Sequence, residues 1–189
     1  RNSKMKLLNL IIIFLLIFFS ESTASNKDSI VNQLNKINNI SFNFIQTIGD
    51  KEEKGNCIIK YPKKIFCEYK TKKNRNKVLV SNGSSLVIKN NKQYYRYPLK
   101  STPFELLLDK DFIINKIRLS KLKEVDNKYF FFQIIEKNSN INIFFSKKNF
   151  GLIGWQVEDA YQNLAMTFIY DKKINKIINE NLFKLPKQY

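Results

Sequence analysis

Two cysteines, 16 carboxylate side chains and no histidine are what this 189-residue chain offers for covalent, acid–base or metal chemistry. Without His, a His-based catalytic triad, a His metal ligand and an imidazole pH switch are excluded. Two thiols are too few for a four-thiolate zinc or iron–sulfur site. Among the carboxylates, Asp109, Asp111, Asp126, Glu158 and Asp159 are the candidates for a glycosidase-type pair. Glu158 and Asp159 are neighbours on a predicted strand and so point to opposite faces, and no other pair is placed by spacing. No ordinary catalytic apparatus stands out, and neither an enzymatic role nor a cofactor or metal is expected.

The cysteines have a clearer reading. Cys57 and Cys67 flank Tyr61-Pro62-Lys63. A hairpin centred on Pro62 sets the two directly opposite each other, with Cβ atoms about 4.5–5.5 Å apart, close to disulfide geometry. A cross-strand bridge is expected, stabilising by less than the usual ~2–4 kcal/mol because it closes a short, already paired loop. Two buried free thiols are the alternative. Cys-x-x-Cys spacing, the mark of redox catalysis, does not occur.

Such a bridge needs an oxidising compartment, and the N-terminus predicts one. Arg1, Lys4 and Lys6 precede an apolar run from Leu7 to Phe19 broken only by Asn9. That is short for a membrane-spanning helix and right for a signal-peptide core. Ser22 and Ala24 supply the small residues of a cleavage site, so residues 1–24 read as a signal peptide and 25–189 as one exported domain. A retained anchor is the rival reading, and Met5 is the expected natural start.

Lys and Arg number 33 against 16 acids, a net charge of +17. Residues 1–24 hold three of the bases and one acid, which leaves +15. Only four of the bases are Arg, and Asn, Ile, Phe and Tyr are abundant, the bias expected from AT-rich coding DNA. Among functional readings of the charge, attraction to an anionic membrane is the better. Tyr94, Tyr95, Arg96 and Tyr97 could stack nucleic-acid bases, but export separates the chain from cytoplasmic nucleic acid, so none is expected as partner.

Periodicity supplies the scaffold. Ile30, Val31, Leu34 and Ile37 predict a helix over 26–38, capped by Ser25 or Asn26. Alternation then predicts strands at 42–48, from Gly55 to Tyr61, and from Ile65 to Lys70. Asn82-Gly83 predicts a two-residue hairpin between 77–81 and 84–88. Thr102 as cap and Pro103 as first residue start a second helix, which Asp111–Ile117 either continues or follows. Strands return at 129–136, 141–146, 152–158 and 165–170, with a last piece ending at Phe183. About ten antiparallel strands in meander order are expected to curl, with helices over one face.

Phe42-x-Phe44-x-Gln46 after a helix, Gly55 leading to Tyr61-Pro62, Val78 to Gly83, Ser101-Thr102-Pro103-Phe104 and a closing Phe183-x-Leu185-Pro186 resemble the outer-membrane lipoprotein carrier LolA family, in order and spacing. The resemblance implies a mainly β (α+β) fold: a half-open, curved antiparallel barrel of ten to eleven strands with short helices as a lid over a hydrophobic cavity. It implies a periplasmic chaperone that takes lipoproteins by their acyl chains from an inner-membrane ABC-type extruder to an outer-membrane receptor, as a monomer. A lipid-binding sensor domain on the same fold is the alternative. Where many members carry Arg before this Pro and use it to hold the lid, Tyr61 stands here, and Ile65 replaces a frequent Phe.

Acyl chains need an apolar concave surface under a movable cover. The candidate walls are Phe42, Phe44, Ile59, Tyr61, Ile65, Tyr69, Leu79 and Leu86, with Val78/Val87 as the alternative parity to Leu79/Leu86. Ile30, Leu34, Phe104, Leu107 and Leu108 are the candidate lid, over a hollow expected to stand empty.

Overall fold

The computed structural model describes residues 21–70, 77–91, 93–136, 139–158 and 163–188. The apolar run Leu7–Phe19 with its basic flank, and Asp159, lie outside them. No helix among the described residues is long and apolar enough to cross a membrane.

Eleven antiparallel strands form a single sheet. β1 (Asn39–Ile48), β2 (Lys51–Lys60), β3 (Lys64–Tyr69), β4 (Lys77–Asn82), β5 (Ser85–Asn90) and β6 (Gln93–Pro98) run as one meander. β7 (Lys123–Val125), β8 (Tyr129–Glu136), β9 (Ser139–Ser146), β10 (Leu152–Glu158) and β11 (Leu164–Ile174) form the other. The two join where β1 pairs with β11, so the order is not one continuous meander, and β6 and β7 remain as unpaired edges of an unclosed barrel. Among the described residues three α-helices lie between or before the meanders: α1 (Glu21–Asn35), α2 (Phe104–Leu107) and α3 (Lys110–Leu119).

Alternation decides which face is inside. Along β1 it buries Ile40, Phe42 and Phe44, and along β8 Phe130, Phe132 and Ile134. Two register shifts bend the sheet. One puts an extra residue on β11 opposite β1 at Ser41/Asn43, where Asp171 takes a φ of 49°. The other puts an extra residue on β10 opposite β9 between Leu152 and Gly154. Bulges of this kind sharpen local twist and bend the strand that carries them.

Several boundaries differ from the sequence reading. α1 is already helical at Glu21, so Ser25 and Asn26 lie within it and do not cap it. β2 begins four residues before Gly55, because Lys51–Lys54 pair with the polar end of β1, where alternation carries no apolar signal. The β4–β5 turn residues are Gly83-Ser84, since Ser81 pairs with Leu86. Gly83 has a φ of 100°, and the Asn82 side chain accepts from the amides of Ser84 and Ser85. Thr102 donates its hydroxyl to Leu99 O instead of capping α2. α3 is separate, capped by Asp109, whose carboxylate accepts from the Phe112 amide.

The piece ending at Phe183 is no strand. It is an extended strap with one 3₁₀ turn, Glu180–Phe183, lying on β3 and β4. Glu180 pairs with Lys60 and Lys64, and these lysine hydrogen bonds hold its carboxyl below the usual range. Phe183 is buried under Lys64, on the face opposite the main core.

Cys57 pairs with Cys67 in the β2–β3 register, and the two are bridged with Cα atoms 4.1 Å apart. The Tyr61–Pro62 bond in the connecting turn is cis. One row along, Gly55 lies under Phe44. A Cβ there would stand 2.7 Å from the ring and 2.1 Å from Glu68 O. Gly55→Ala should therefore lower stability by about 3 kcal/mol or more. A urea midpoint close to that of the parent chain would contradict this close approach.

Candidate functional site

The inner face is built from rows of residues paired strand to strand. One row runs Ile40–Ile59–Ile65–Ser81–Leu86–Tyr97, the next Phe42–Cys57–Cys67–Leu79–Ile88–Tyr95. A third sets Phe44, Gly55 and Tyr69 abreast, with the Phe44 and Tyr69 rings edge to face at 5.1 Å. From the other meander come Ile143, Phe145, Leu152 and Trp155, the last edge-on to Phe42 at 5.9 Å.

The helices fill the hollow. Ile30, Val31 and Leu34 of α1, Leu106 and Leu107 of α2, Leu108 after it, and Ile113, Ile114 and Ile117 of α3 are all buried in one apolar cluster with the sheet. Between them lies a void of about 20 Å³, lined by Leu34, Ile59, Tyr61, Ile65, Phe104, Leu107, Leu108, Ile113, Ile143, Phe145, Leu152 and Trp155. That is room for about one water molecule, and its lining is almost wholly apolar. The expected standing hollow is thus corrected. The side chains of the three helices occupy that space themselves.

Polar contacts hold the lid only at its rim. The Lys63 amide donates to Leu108 O at 2.8 Å, and its ammonium donates to Glu105 at 2.8 Å, with Asp109 at 3.9 Å. Ser81 fixes that turn by donating to Lys63 O at 2.8 Å. Lys110 donates to Ile37 O at 2.9 Å, and Lys27 to Arg118 O and Ser120 O at 2.7 and 2.9 Å, tying α3 to α1. The hydrogen bond to Glu105 raises the Lys63 pKa against a lowering by desolvation. A raised lysine favours the closed state at every pH below its unfolded value and stops doing so only as pH climbs through the raised one. The latch is therefore intact across the neutral range. Its side chains are 33% and 19% exposed, so it stabilises by about 0.5–1 kcal/mol.

Tyr61 does not take over an arginine's role at this rim. Its ring lines the void, and loss of solvent pushes its hydroxyl up to about 12. Burial, aided by the Glu53 carboxylate, also drives Tyr69 upward. The latch sits on the other side of Pro62, at Lys63.

Of the walls read from sequence, Ile59, Tyr61 and Ile65 line the void, as do Leu34, Phe104, Leu107 and Leu108 of the lid. Phe42, Phe44, Tyr69, Leu79, Leu86 and Ile30 lie deeper in the same cluster. Leu79 and Leu86 face this cluster, whereas Val80 and Val87 are buried on the outer face, which settles the parity. Ile113, Ile143, Phe145, Leu152, Trp155 and the Lys63–Glu105 pair were missed. The strand residues carried the same alternation as any core. Nothing in the sequence singled out Glu105's partner among the lysines. The carboxylates weighed for catalysis are dispersed: Asp109 caps α3, Asp111 is exposed on it, Asp126 is in the β7–β8 turn and Glu158 is on the outer face.

A family model described as outer membrane lipoprotein carrier protein LolA matches residues 35–186. The chain belongs to this family. Its members are periplasmic binding and chaperone proteins, and the curled, unclosed eleven-stranded sheet with short helices is the LolA fold. An uncharacterized conserved protein from Thermus thermophilus is 8% identical at a TM-score of 0.51, over 88% of this chain and 96% of that one. A LolA superfamily protein from Nitrosomonas europaea is 10% identical (TM-score 0.42, 83% and 97% covered). A putative outer membrane lipoprotein-sorting protein domain from Vibrio parahaemolyticus is 9% identical (0.47, 86% and 97%). No curated protein sequence matches the chain.

The chain has a single tryptophan, Trp155, 7% exposed beneath the lid, and it reports lid position directly. Lys63→Met should raise the open fraction about two- to fivefold. Acrylamide quenching of Trp155 should rise accordingly while the thermal midpoint moves little. Unchanged quenching would show that the ion pair does not restrain the lid.

Proposed function

We propose that this LolA-family protein is a periplasmic carrier of lipid-modified proteins, holding their acyl chains between the concave sheet and a displaced lid. The observation that carries the reading is the wholly apolar contact of three short helices with the inner face, secured by polar groups only at its edge. A cover built this way lifts as a body and leaves a hydrocarbon-lined trough.

Exchange makes such a site reversible. Each acyl CH₂ buried contributes about 0.8 kcal/mol, enough for several chains to bind irreversibly to an empty cavity. Here the incoming chains replace Leu34, Phe104, Leu107, Leu108 and Ile113 against the walls, so the exposure of lid side chains offsets much of the gain. Release needs only the reverse exchange. In this reading residues 1–24 direct export, the 25–189 domain acts as a monomer, an ABC-type extruder in the inner membrane loads it, and an outer-membrane receptor unloads it.

A synthetic triacylated lipopeptide should bind the mature chain one to one and shift Trp155 emission. Lys63→Met should bind it about two- to fivefold more tightly, because a closed lid lowers apparent affinity by the fraction of molecules that are open. Absence of binding by both proteins would remove the carrier reading.

A further inference from the structure

The outer face of the sheet carries a second apolar surface that the lid does not use. Register aligns Lys123, Phe131, Phe144, Gly154, Phe168, Ile45 and Lys54 in one row across β7, β8, β9, β10, β11, β1 and β2. The Phe131 and Phe144 rings are 6.0 Å apart, and Phe144 and Phe168 are 6.4 Å apart across the strand where Gly154 contributes no side chain. Phe168 and Tyr170 are each 43% exposed. The comparable outer stripe on β3–β5 is covered by the strap, whereas this row is covered by no described segment.

Charge points to the occupant. Lysines stand at both ends of the row, Lys54 paired with Glu52 at 3.0 Å and Lys123 with its ammonium 5.5 Å from the Phe131 ring. On the side beyond Tyr129 and Tyr170, the β9–β10 turn and the bent end of β11 present exposed Lys148 and Lys173, beside Lys147, which pairs with Glu124, and Lys172, whose ammonium donates to Leu152 O at 2.6 Å. Glu124 is neutralised by Lys147 at 2.6 Å, and Asp171 accepts from Asn43. A convex band of Phe and Tyr beside a lysine rim is the pattern of an interfacial surface: rings at headgroup depth, ammonium groups on lipid phosphates. An acid-rich protein partner would satisfy the lysines but not a convex aromatic ridge, which fits no flat protein surface closely.

We propose that this ridge docks the protein on an anionic bilayer, with Phe131, Phe144 and Phe168 at the headgroup level and the lysine rim on phosphate. The surface is separate from the lidded trough, so it operates whether or not acyl chains are bound.

Co-sedimentation of the mature protein with vesicles tests it. At low salt it should bind vesicles containing about one-third phosphatidylglycerol and not pure phosphatidylcholine. Phe168→Ser should weaken binding about fivefold or more, and Lys148→Glu with Lys173→Glu, at exposed sites that leave folding intact, should weaken it comparably. Tyr95→Ser, equally exposed but on the inner face at the β6 edge, should leave it unchanged. No binding to anionic vesicles would overturn the proposal, as would equal loss with Tyr95→Ser, which would mean the ridge is not the docking surface, or full binding by Phe168→Ser, which would mean charge alone acts. A dimer in sedimentation velocity that Phe168→Ser dissociates would overturn it in favour of a second copy of the chain.

Discussion

The pairing of β1 with β11 is the interaction on which the rest of this molecule depends. Ile48 meets Ala165 and Ile40 meets Ile174, residues more than a hundred positions apart, and this one ladder turns two local meanders into a single curled sheet. Either meander alone would expose its apolar face. Joined, they face each other closely enough for Phe42 and Trp155, from opposite meanders, to touch. The bulge on this ladder supplies part of the bend, so the contact that closes the topology also shapes the trough. Such a contact carries a large loop-closure cost and is expected to form late in folding.

From that curvature follows the role of the helices. A trough with Ile59, Ile65, Phe145 and Trp155 on its walls cannot stay open to water without cost, and the linker between the meanders provides what fills it. α2 and α3 leave β6 and return to β7, so the cover is tethered at both ends by the strands it bridges. A tethered cover that is greasy below and polar at its rim can open without leaving. The rim bonds are individually small, and this sets how easily it does so.

How much of this was legible depended on whether the information was local. The Cys57–Cys67 register was readable because a symmetric turn about Pro62 fixes it, and the β8 and β10 boundaries because long alternating runs end at clear turn residues. The start of β2 was not, because Lys51-Glu52-Glu53-Lys54 is polar on both faces and is a strand only through β1. Nor was the strap, whose Phe183 is buried by a tertiary contact with the back of the sheet. For the site, the composition of the walls was visible, but occupancy was not: a core and a lined cavity share one alternation. Only packing distinguishes them, and packing showed the lid residues filling the space.

The displacement of the latch across Pro62 has a mechanical consequence. An arginine before the proline would reach the lid through a forked side chain, a pair of bonds made and broken together. Lys63 instead uses two different kinds of contact: its backbone amide on Leu108 O and its flexible ammonium on Glu105. The amide bond is short-ranged and its geometry is fixed by Ser81, so it marks one closed position. The ammonium lies 2.8 Å from Glu105 of α2 and 3.9 Å from Asp109, the cap of α3, so it bridges the two helices of the cover. The polar ties between these helices and the sheet are few, Lys63 to Leu108 O and Glu105, and Lys116 to Glu136, and most of the contact is apolar surface. In the proposed carrier role, hydrocarbon that relieves the exposure of this apolar surface is therefore expected to open the cover more effectively than a change in salt or pH.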